Sequence, residues 1–322
     1  MKAIVKYKYG APNDVLEPKE IDKPVVKDDD VLVRVHAATL HAGDWGVARG
    51  VPYLMRPAIG LLKPRNHVAG TDVAGHVEAV GKNAKQFQPG DEVFGTCNGA
   101  CAEYACAGED KFVLKPAGST FEQAAAVPTS GFAALHGLRN SGKIQPGQNV
   151  LIVGASGGVG TFAVQIAKSF GAEVTGVCST RNVDMVRSIG ADHVIDYTQE
   201  DFTKGAERYD LIVDIAGNRP LSDLRRALTR KGTLVLAGGR GGPWLLGMGR
   251  TFRGLMWSPF LSQSIRFFVS FPNNEDLVVL KEFLESGKVT PVIDRTYPLS
   301  ETPEALAYVE EGHTQGKTVI TV

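Results

Sequence analysis

The chain has 322 residues, enough for about two domains with separate cores. Its 35 Lys and Arg residues balance 35 Asp and Glu residues, which excludes binding of nucleic acid or anionic lipid through net charge alone. Hydrophobic residues make up 43% and charged residues 22%, which is typical of a globular protein and not of a disordered chain. Glycine is abundant, at 37 residues, and predicts many tight turns and close backbone approaches.

The cysteines and the N-terminal residues indicate the cellular compartment. There are too few cysteines for a disulfide scaffold: Cys97, Cys101, Cys106 and Cys178. The first ten residues contain neither an apolar signal core nor an Arg- and Ser-rich leader, so we expect a reducing, cytoplasmic location. The apolar stretch Trp244–Leu261 is interrupted by Arg250, Arg253 and Pro259, and it predicts no transmembrane segment.

The first 116 residues contain short β-branched runs separated by turn residues. This spacing predicts antiparallel strands that close into a β-barrel, at Ala3–Tyr7, Val31–Ala37, Val73–Val80, Glu92–Phe94 and Phe112–Leu114. After Ser119 the pattern changes. Thr120 is a candidate N-cap for a helix over Phe121–Ala126, and a second helix is predicted over Ser130–Asn140.

The next part of the chain contains six strand-like runs, most of them separated by helical patterns. They predict a doubly wound parallel sheet, with strands at Val150–Val153, Glu173–Cys178, His193–Ile195, Asp210–Ile215, Thr233–Ala237 and Phe267–Ser270. A connecting helix capped by Asn274 is predicted over Asn273–Gly287, and a closing strand over Thr318–Val322. We therefore expect an α/β protein in which residues 1–119 and 273–322 form a β-barrel domain and residues 120–272 form an inserted dinucleotide-binding domain.

The sharpest local signal is the glycine turn within Val150–Ala167, where a buried strand leads into an amphipathic helix. Glycines in this turn leave room for pyrophosphate oxygens on backbone N–H groups at the positive end of the helix. The turn reads AxGxxG, with Ala155 at the place of the first glycine of the usual fingerprint. A glycine turn that serves only packing is the alternative.

The end of the next strand predicts the choice of cofactor. Glu173–Cys178 is followed by Ser179, Thr180 and Arg181, with no carboxylate for the ribose hydroxyls of NADH. A hydroxyl and a guanidinium are suited to a 2′-phosphate, so NADPH is favoured over NADH. The alternative for Arg181 is a solvated cation at a helix start.

Several linked motifs give the chain a resemblance that covers nearly its whole length. They are HAGDWGVARG (41–50), GTDVAGHVEAVG (70–81), QPGDEVFG (88–95), GASGGVG (154–160), GADHVIDY (190–197) and GHTQGKTVITV (312–322). In this order they resemble the medium-chain dehydrogenase/reductase superfamily, in its zinc-independent quinone-oxidoreductase-like branch. The resemblance implies a GroES-like β-barrel catalytic domain and a Rossmann domain, with NADPH and substrate in the cleft between them.

The resemblance also implies cofactor contacts. The pyrophosphate turn corresponds to Ser156, Gly157, Gly158 and Val159, and the surroundings of the adenosine phosphate to Ser179, Arg181 and Tyr197. Further expected cofactor contacts are Thr129, Gly217, Gly238, Phe268, Ser270, His313, Gly316 and Lys317.

Zinc-dependent members of the superfamily have a catalytic Cys where this chain has His41, and Gly-His-Glu where it has Gly70, Thr71 and Asp72. Their structural zinc needs four closely spaced cysteines, whereas Cys97, Cys101 and Cys106 form C-x3-C-x4-C. We therefore expect no metal site.

Without a Lewis acid, a conjugated acceptor is the easier substrate, because hydride addition to it spreads the negative charge into an enolate or phenolate. We therefore expect hydride transfer from NADPH to a quinone or an α,β-unsaturated carbonyl compound. Tyr53 and His41 are the candidate catalytic residues, as donors to the acceptor oxygen or, for His41, as a contact of the nicotinamide ribose. Related sequences commonly have Asn at the place of His41. Asp44 and Asp72 are assigned structural hydrogen bonds, and the alternative for Tyr53 is a half-buried surface aromatic.

Three points stay open at this stage. The apolar segment 241–271 could line the acceptor pocket, form a homodimer face or lie on a membrane, and burial is favoured. Two other functions compete with the first: an NADPH-binding sensor or scaffold with little turnover, and a zinc-dependent alcohol dehydrogenase with unusual ligands.

Overall fold

Residues 1–238 and 262–322, with Trp244, Gly249 and Gly254, are described by the computed structural model. The chain divides into two units. The first comprises Met1–Phe132, Phe271–Gly287 and Pro291–Val322, and the second comprises Ala133–Ser270 and Lys288–Thr290. Residues 120–132 therefore belong to the first unit, whereas the predicted boundary assigned them to the dinucleotide-binding domain.

The first unit contains a seven-stranded, mainly antiparallel sheet and a separate two-stranded one. Its strands are β1 (Lys2–Val5), β2 (Glu17–Glu20), β3 (Asp30–Leu40), β4 (Asp72–Val80), β5 (Glu92–Thr96), β6 (Tyr104–Gly108), β7 (Phe112–Leu114), β14 (Ile293–Pro298) and β15 (Lys317–Thr321). The large sheet has the order β14-β15-β3-β4-β5-β7, with β6 also paired to β3. The closing strand β15 pairs antiparallel with β3, as expected for a tail that returns to the N-terminal domain.

Helices and short turns cover this unit. The α-helices are Pro12–Val15, Ala42–Arg49, Arg56–Ile59, Phe121–Ala126, Asn274–Glu285 and Thr302–Glu311, and the 3-10 turns are Tyr53–Met55, Glu109–Lys111 and Leu299–Glu301. The helix Pro128–Leu135 contains the division between the units. The core of the first unit is built from alternating apolar residues of the strands, among them Val31, Val33, Phe112 and Ile320, each fully buried.

The second unit contains a six-stranded sheet in which every pair is parallel. Its strands are β8 (Asn149–Val153), β9 (Glu173–Cys178), β10 (His193–Asp196), β11 (Tyr209–Asp214), β12 (Leu228–Leu236) and β13 (Ser264–Phe267), in the order β10-β9-β8-β11-β12-β13. Its helices are Gly158–Ser169, Val183–Ser188 and Leu221–Arg226, with a π-helical turn at His136–Ser141 and a 3-10 turn at Thr180–Asn182. The predicted doubly wound parallel sheet is confirmed.

Four local predictions differ from the structure. The run Ala3–Tyr7 gives a strand that ends at Val5 and pairs with Glu17–Glu20 instead of joining the large sheet. The last parallel strand ends at Phe267, where its partner β12 ends at Leu236, so the strand predicted over Phe267–Ser270 is wrong. The cap of the connecting helix is Asn273, whose side chain accepts from Asp276 N at 2.9 Å, and not Asn274. The helix predicted over Ser130–Asn140 becomes π-helical after Leu135.

The segment 241–271 lies mostly outside the described residues, and so do Arg250 and Arg253. In the described part of the chain, no helix combines the length and apolar character needed to span a bilayer.

The large sheet of the first unit depends on the absence of a side chain at Gly75. A Cβ there would lie 2.0 Å from Arg34 O on the neighbouring strand. We expect Gly75→Ala to lower the free energy of unfolding by about 1–3 kcal/mol, because the two strands must separate. Urea unfolding measures this. Gly118→Ala is the control, since its Cβ would meet no atom within 4 Å. Equal stability of the two variants would contradict the prediction.

Candidate functional site

The glycine turn of the second unit joins the end of β8 to the helix Gly158–Ser169. Gly154 has a φ of 92°, and both Gly154 N and Ala155 N donate to Val177 O, at 3.1 and 3.0 Å. A Cβ on Gly160 would lie 2.0 Å from Gly154 O. Gly154 is therefore required by the backbone conformation of the turn, and Gly160 by close packing against it.

The middle of the turn is open. Gly157 is the N-cap residue of the helix, no side chain caps the helix, and a Cβ on Gly157 would meet nothing closer than Gly154 O at 3.8 Å. The first N–H groups of a helix have no intrahelical acceptor. This arrangement fits a pyrophosphate group, which would be held by the backbone of Ser156, Gly157, Gly158 and Val159.

Asn182, which the sequence analysis did not single out, links the turn to the end of β9. Its side chain is buried, and Nδ2 donates to Ser156 Oγ at 2.9 Å and to Ser179 Oγ at 3.2 Å. Its Oδ1 is buried and has no hydrogen-bond partner among the described residues. Buried acceptors are normally paired. Within the described part of the chain, Oδ1 of Asn182 is therefore an unsatisfied acceptor between the turn and the end of β9.

The surroundings of Arg181 contain a carboxylate that the sequence reasoning did not place there. Arg181 is exposed on the 3-10 turn Thr180–Asn182. Tyr197 is 51% exposed and directly follows Asp196, the carboxylate in question. Asp196 is in register with Cys178 on the neighbouring strand, and it accepts from Thr180 Oγ1 at 2.6 Å. This hydrogen bond lowers the pKa of Asp196, so a carboxylate is present at this strand end at neutral pH.

The remaining candidates of the second unit lie at or just beyond the carboxyl ends of β11, β12 and β13. Gly217 has a φ of 64° and donates from its N to Asp214 Oδ1 at 3.1 Å, and a Cβ on Gly238 would lie 2.0 Å from Ile215 O. Phe268 and Ser270 follow β13, and Ser270 Oγ is 2.9 Å from His136 Nδ1. Ligands of doubly wound sheets bind at this edge.

In the first unit, His41 is the N-cap of the helix Ala42–Arg49. Its Nδ1 accepts from Gly43 N at 3.0 Å, and Asp44 Oδ2 accepts from His41 N at 2.9 Å, which completes a capping box. Since Nδ1 accepts, the ring proton of a neutral His41 is on Nε2. This Nε2 is buried without a hydrogen-bond partner among the described residues, 3.4 Å from Asp44 Oδ2. The imidazole of His41 thus forms the N-cap of this helix.

Tyr53 opens the short turn Tyr53–Met55 and is half-buried. The Arg56 guanidinium carbon lies 4.5 Å from the centre of its ring, and Arg56 Nε donates to Gly50 O at 3.0 Å. This cation–π contact helps to fix the orientation of the Tyr53 ring.

Asp72 is itself fully buried and is the centre of a polar network in the first unit. Its Oδ1 accepts from Thr129 Oγ1 at 2.5 Å and Thr129 N at 3.2 Å, and its Oδ2 from Thr39 Oγ1 at 3.3 Å and Lys317 Nζ at 3.4 Å. Lys317 Nζ also donates to Ser130 Oγ at 3.2 Å. The structural assignment of Asp72 agrees with this geometry. The side chains of Thr129 and Lys317 are engaged here, and their cofactor contacts stay predictions.

The other candidates near the C-terminus are His313 and Gly316. His313 is exposed. Gly316 has a φ of 82°, and a Cβ added to it would lie 2.2 Å from Val292 O. Gly316 therefore serves the turn into β15, and cofactor contacts by both residues stay predictions.

The residues at the zinc-ligand positions do not fit a zinc ion. Thr71 is not an imidazole, its hydroxyl donates to Asp44 Oδ1 at 3.3 Å, and Asp72 is neutralised by Lys317. Burial raises the pKa of Cys97 and Cys101 far above the usual thiol range and that of Cys106 to about 11, which disfavours the thiolates that zinc needs. Among the described residues, no group of three His, Cys, Asp or Glu side chains is placed to hold a metal.

Two family models match the chain. Residues 27–137 match the alcohol dehydrogenase GroES-like domain, and residues 189–320 match the zinc-binding dehydrogenase family. The chain is 32% identical to the "Chloroplast envelope quinone oxidoreductase homolog" of Arabidopsis thaliana, over 99% of this chain and 98% of the relative. It is also 32% identical to "NAD(P)H oxidoreductase RTN4IP1, mitochondrial" of Mus musculus, over 100% and 89%.

A third relative and a solved structure agree with these matches. The "2-methylene-furan-3-one reductase" of Solanum lycopersicum is 32% identical, over 99% of this chain and 79% of the relative. The structure of the quinone oxidoreductase from Coxiella burnetii superposes with a TM-score of 0.85 at 29% identity, over 100% of this chain and 99% of that chain. The GroES-like and Rossmann-type architecture is thus confirmed.

The buried network around Asp72 gives a stability prediction. Lys317→Met leaves the Asp72 carboxylate without its counter-charge, and we expect it to lower the free energy of unfolding by about 3–5 kcal/mol. Adding Asp72→Asn to Lys317→Met removes the uncompensated charge. The double variant should therefore lose less stability than the sum of the losses in the two single variants. Urea unfolding of the wild-type protein, the two single variants and the double variant measures this. Additive losses would show that the two side chains do not interact.

Proposed function

The chain belongs to the medium-chain dehydrogenase/reductase superfamily, in its quinone-oxidoreductase-like branch, and we propose that it transfers hydride from NADPH to a quinone or an α,β-unsaturated carbonyl compound. The proposal is supported mainly by the open glycine turn, where no described side chain caps the helix Gly158–Ser169 and a Cβ on Gly157 would meet nothing closer than 3.8 Å. The names of the Arabidopsis and tomato relatives support the two acceptor classes.

NADPH is proposed over NADH because of the groups around the end of β9. Ser179 and Arg181 offer a hydroxyl and a guanidinium to a 2′-phosphate. Asp196 opposes an anion at this place, but two threonine hydroxyls, Thr180 and Thr198, donate to its carboxylate and spread its charge. The cationic Arg181 is therefore the residue on which the preference depends.

The bound NADPH supplies the hydride, and the chain supplies binding, orientation and hydrogen bonds. The backbone of the glycine turn holds the pyrophosphate and thereby fixes the position of the dinucleotide. The His41 Nε2 proton and the Tyr53 hydroxyl are the donors proposed for the acceptor oxygen, on which negative charge develops. Delocalisation of that charge in a conjugated acceptor removes the need for a metal ion, which the residues present do not fit.

Two further properties are proposed with the function. A reducing compartment such as the cytoplasm is supported by four free cysteines, none of them in a disulfide. The relatives named chloroplastic or mitochondrial make organelles the alternative outcome of a localisation experiment. A homodimer also stays a prediction, which sedimentation analysis would test.

The reaction itself gives the first test. Stopped-flow mixing of the NADPH-loaded protein with 1,4-benzoquinone and with conjugated enones should oxidise NADPH in the first turnover, and saturated ketones should react far more slowly. Absence of NADPH oxidation with every conjugated acceptor would instead support a binding protein with little turnover. Loss of activity together with stoichiometric zinc would favour a zinc-dependent dehydrogenase.

The cofactor preference is tested at Arg181. We expect Arg181→Ala to weaken NADPH binding by about 1.5–3 kcal/mol, the range for a charge-assisted hydrogen bond, and to leave NADH binding nearly unchanged. Fluorescence titration of both cofactors measures this. Arg187→Ala is the control, because Arg187 is an exposed cation paired with Asp184 on the next helix. Equal losses for the two cofactors would refute the phosphate contact.

The donor role of Tyr53 is tested by Tyr53→Phe, which keeps the ring against Arg56 and removes the hydroxyl. We expect kcat for an enone to fall about 10- to 100-fold, because general acid assistance of this kind contributes about 10²–10⁴-fold and solvent replaces part of it. NADPH affinity should not change. Tyr7→Phe, at an exposed tyrosine, is the control. An unchanged kcat would leave Tyr53 as a surface aromatic.

A further inference from the structure

The first unit contains a partly open pocket of about 270 Å³, and Lys6 is the most buried charged residue that lines it. Apolar side chains form most of its wall, among them Leu40, Val47 and Leu306. This volume lies just below the usual range of about 300–1,000 Å³ for small-molecule pockets, so it suits a small ligand.

Lys6 is fixed at the pocket by the backbone. It follows β1, its N donates to His67 O at 2.7 Å, and Val5 forms an antiparallel bridge with Val68. Only 4% of the residue is exposed, so the side chain cannot place its ammonium group in solvent. Successive side chains of an extended backbone point to opposite sides, and both Val5 and Lys6 are buried.

The ammonium group of Lys6 lacks partners for its charge. An ammonium has three N–H donors, and among the described residues Lys6 Nζ makes one hydrogen bond, to Val68 O at a long 3.4 Å. No carboxylate of the described residues lies within ion-pair distance of it. The buried Lys317 contrasts with it, because that ammonium has both Asp72 and Ser130 as partners.

The charges that line the pocket leave one positive charge in excess. They belong to Lys6, Asp44 and Arg65, with the amides of Asn66 and Asn98 beside them. Burial lowers the pKa of Lys6, and the negative charge of Asp44 offsets only part of this lowering. Asp44 already accepts hydrogen bonds from His41 N and Thr71 Oγ1, so it is engaged within the protein. An uncompensated buried charge is costly, and a bound anion would remove that cost.

We propose that Lys6 is a specificity-determining residue that binds a carboxylate of the acceptor, so that the preferred substrates are small unsaturated carbonyl compounds carrying one negative charge. This inference rests on the proposed function. The apolar wall contacts the carbon skeleton of such an acceptor, and Lys6 Nζ donates to its carboxylate oxygen.

The test compares (E)-4-oxo-4-phenyl-2-butenoate with its methyl ester, which differ in the negative charge. The wild-type protein should have a higher kcat/KM for the acid, and Lys6→Met should reduce the acid-to-ester ratio by at least about tenfold, mainly through KM. Lys6→Arg, which keeps the charge, should retain most of the preference. Lys8→Met is the matched control, because Lys8 is exposed two residues away.

A binding measurement separates this inference from the proposed function. Calorimetric titration with the saturated 4-oxo-4-phenylbutanoate needs no turnover, and its affinity should fall at least about tenfold in Lys6→Met but not in Lys8→Met. Reduction of both acceptors with an unchanged ratio and affinity in Lys6→Met would overturn the role of Lys6. Absence of NADPH oxidation by the wild-type protein, with Lys6-dependent binding intact, would overturn the proposed function and support the Lys6 site. Thermal unfolding of Lys6→Met shows whether that variant is folded.

Discussion

The first unit depends on one buried carboxylate. Asp72 accepts from Thr39 on β3, from Thr129 at the start of a helix and from Lys317 on the closing strand. These groups are far apart in sequence, and a charge without them would be too costly to bury. The network therefore holds the N-terminal strands, the central helix and the C-terminal strand in one arrangement. It also assigns the Asp72 carboxylate a structural role, since its charge is neutralised by a lysine of the same chain.

The architecture could be predicted from the sequence because its signals are local and repeated. Alternating strands and helices indicate a parallel sheet, and the glycine turn combines a buried strand, a left-handed residue at Gly154 and a helix start within a few residues. The return of the tail was predicted from the closing apolar strand. In each case the spacing of apolar residues within one segment indicates the element, because another secondary structure would leave its apolar face exposed.

The contacts that refine the site could not be predicted in this way, because they depend on register between segments. Asp196 lies beside the predicted phosphate site only because its strand pairs with β9 at Cys178. The Asn182 side chain donates to Ser156 Oγ across the turn, and Lys6 is buried against His67 and Val68, which are distant in sequence. The end of β13 is likewise determined by the length of its partner strand. No periodicity within one segment contains this information.

The order of the strands along the chain has a consequence for how the protein is made. The second unit takes all six of its strands from one continuous stretch, which ends at Phe267. The large sheet of the first unit includes Lys317–Thr321, which follows all of the second unit's strands in the chain and pairs with β14 on one side and β3 on the other. Domains generally fold as units during synthesis. The N-terminal strands, although translated first, therefore keep part of the β3 edge unpaired until Lys317–Thr321 has been made. By then all six described strands of the parallel sheet have already been synthesised.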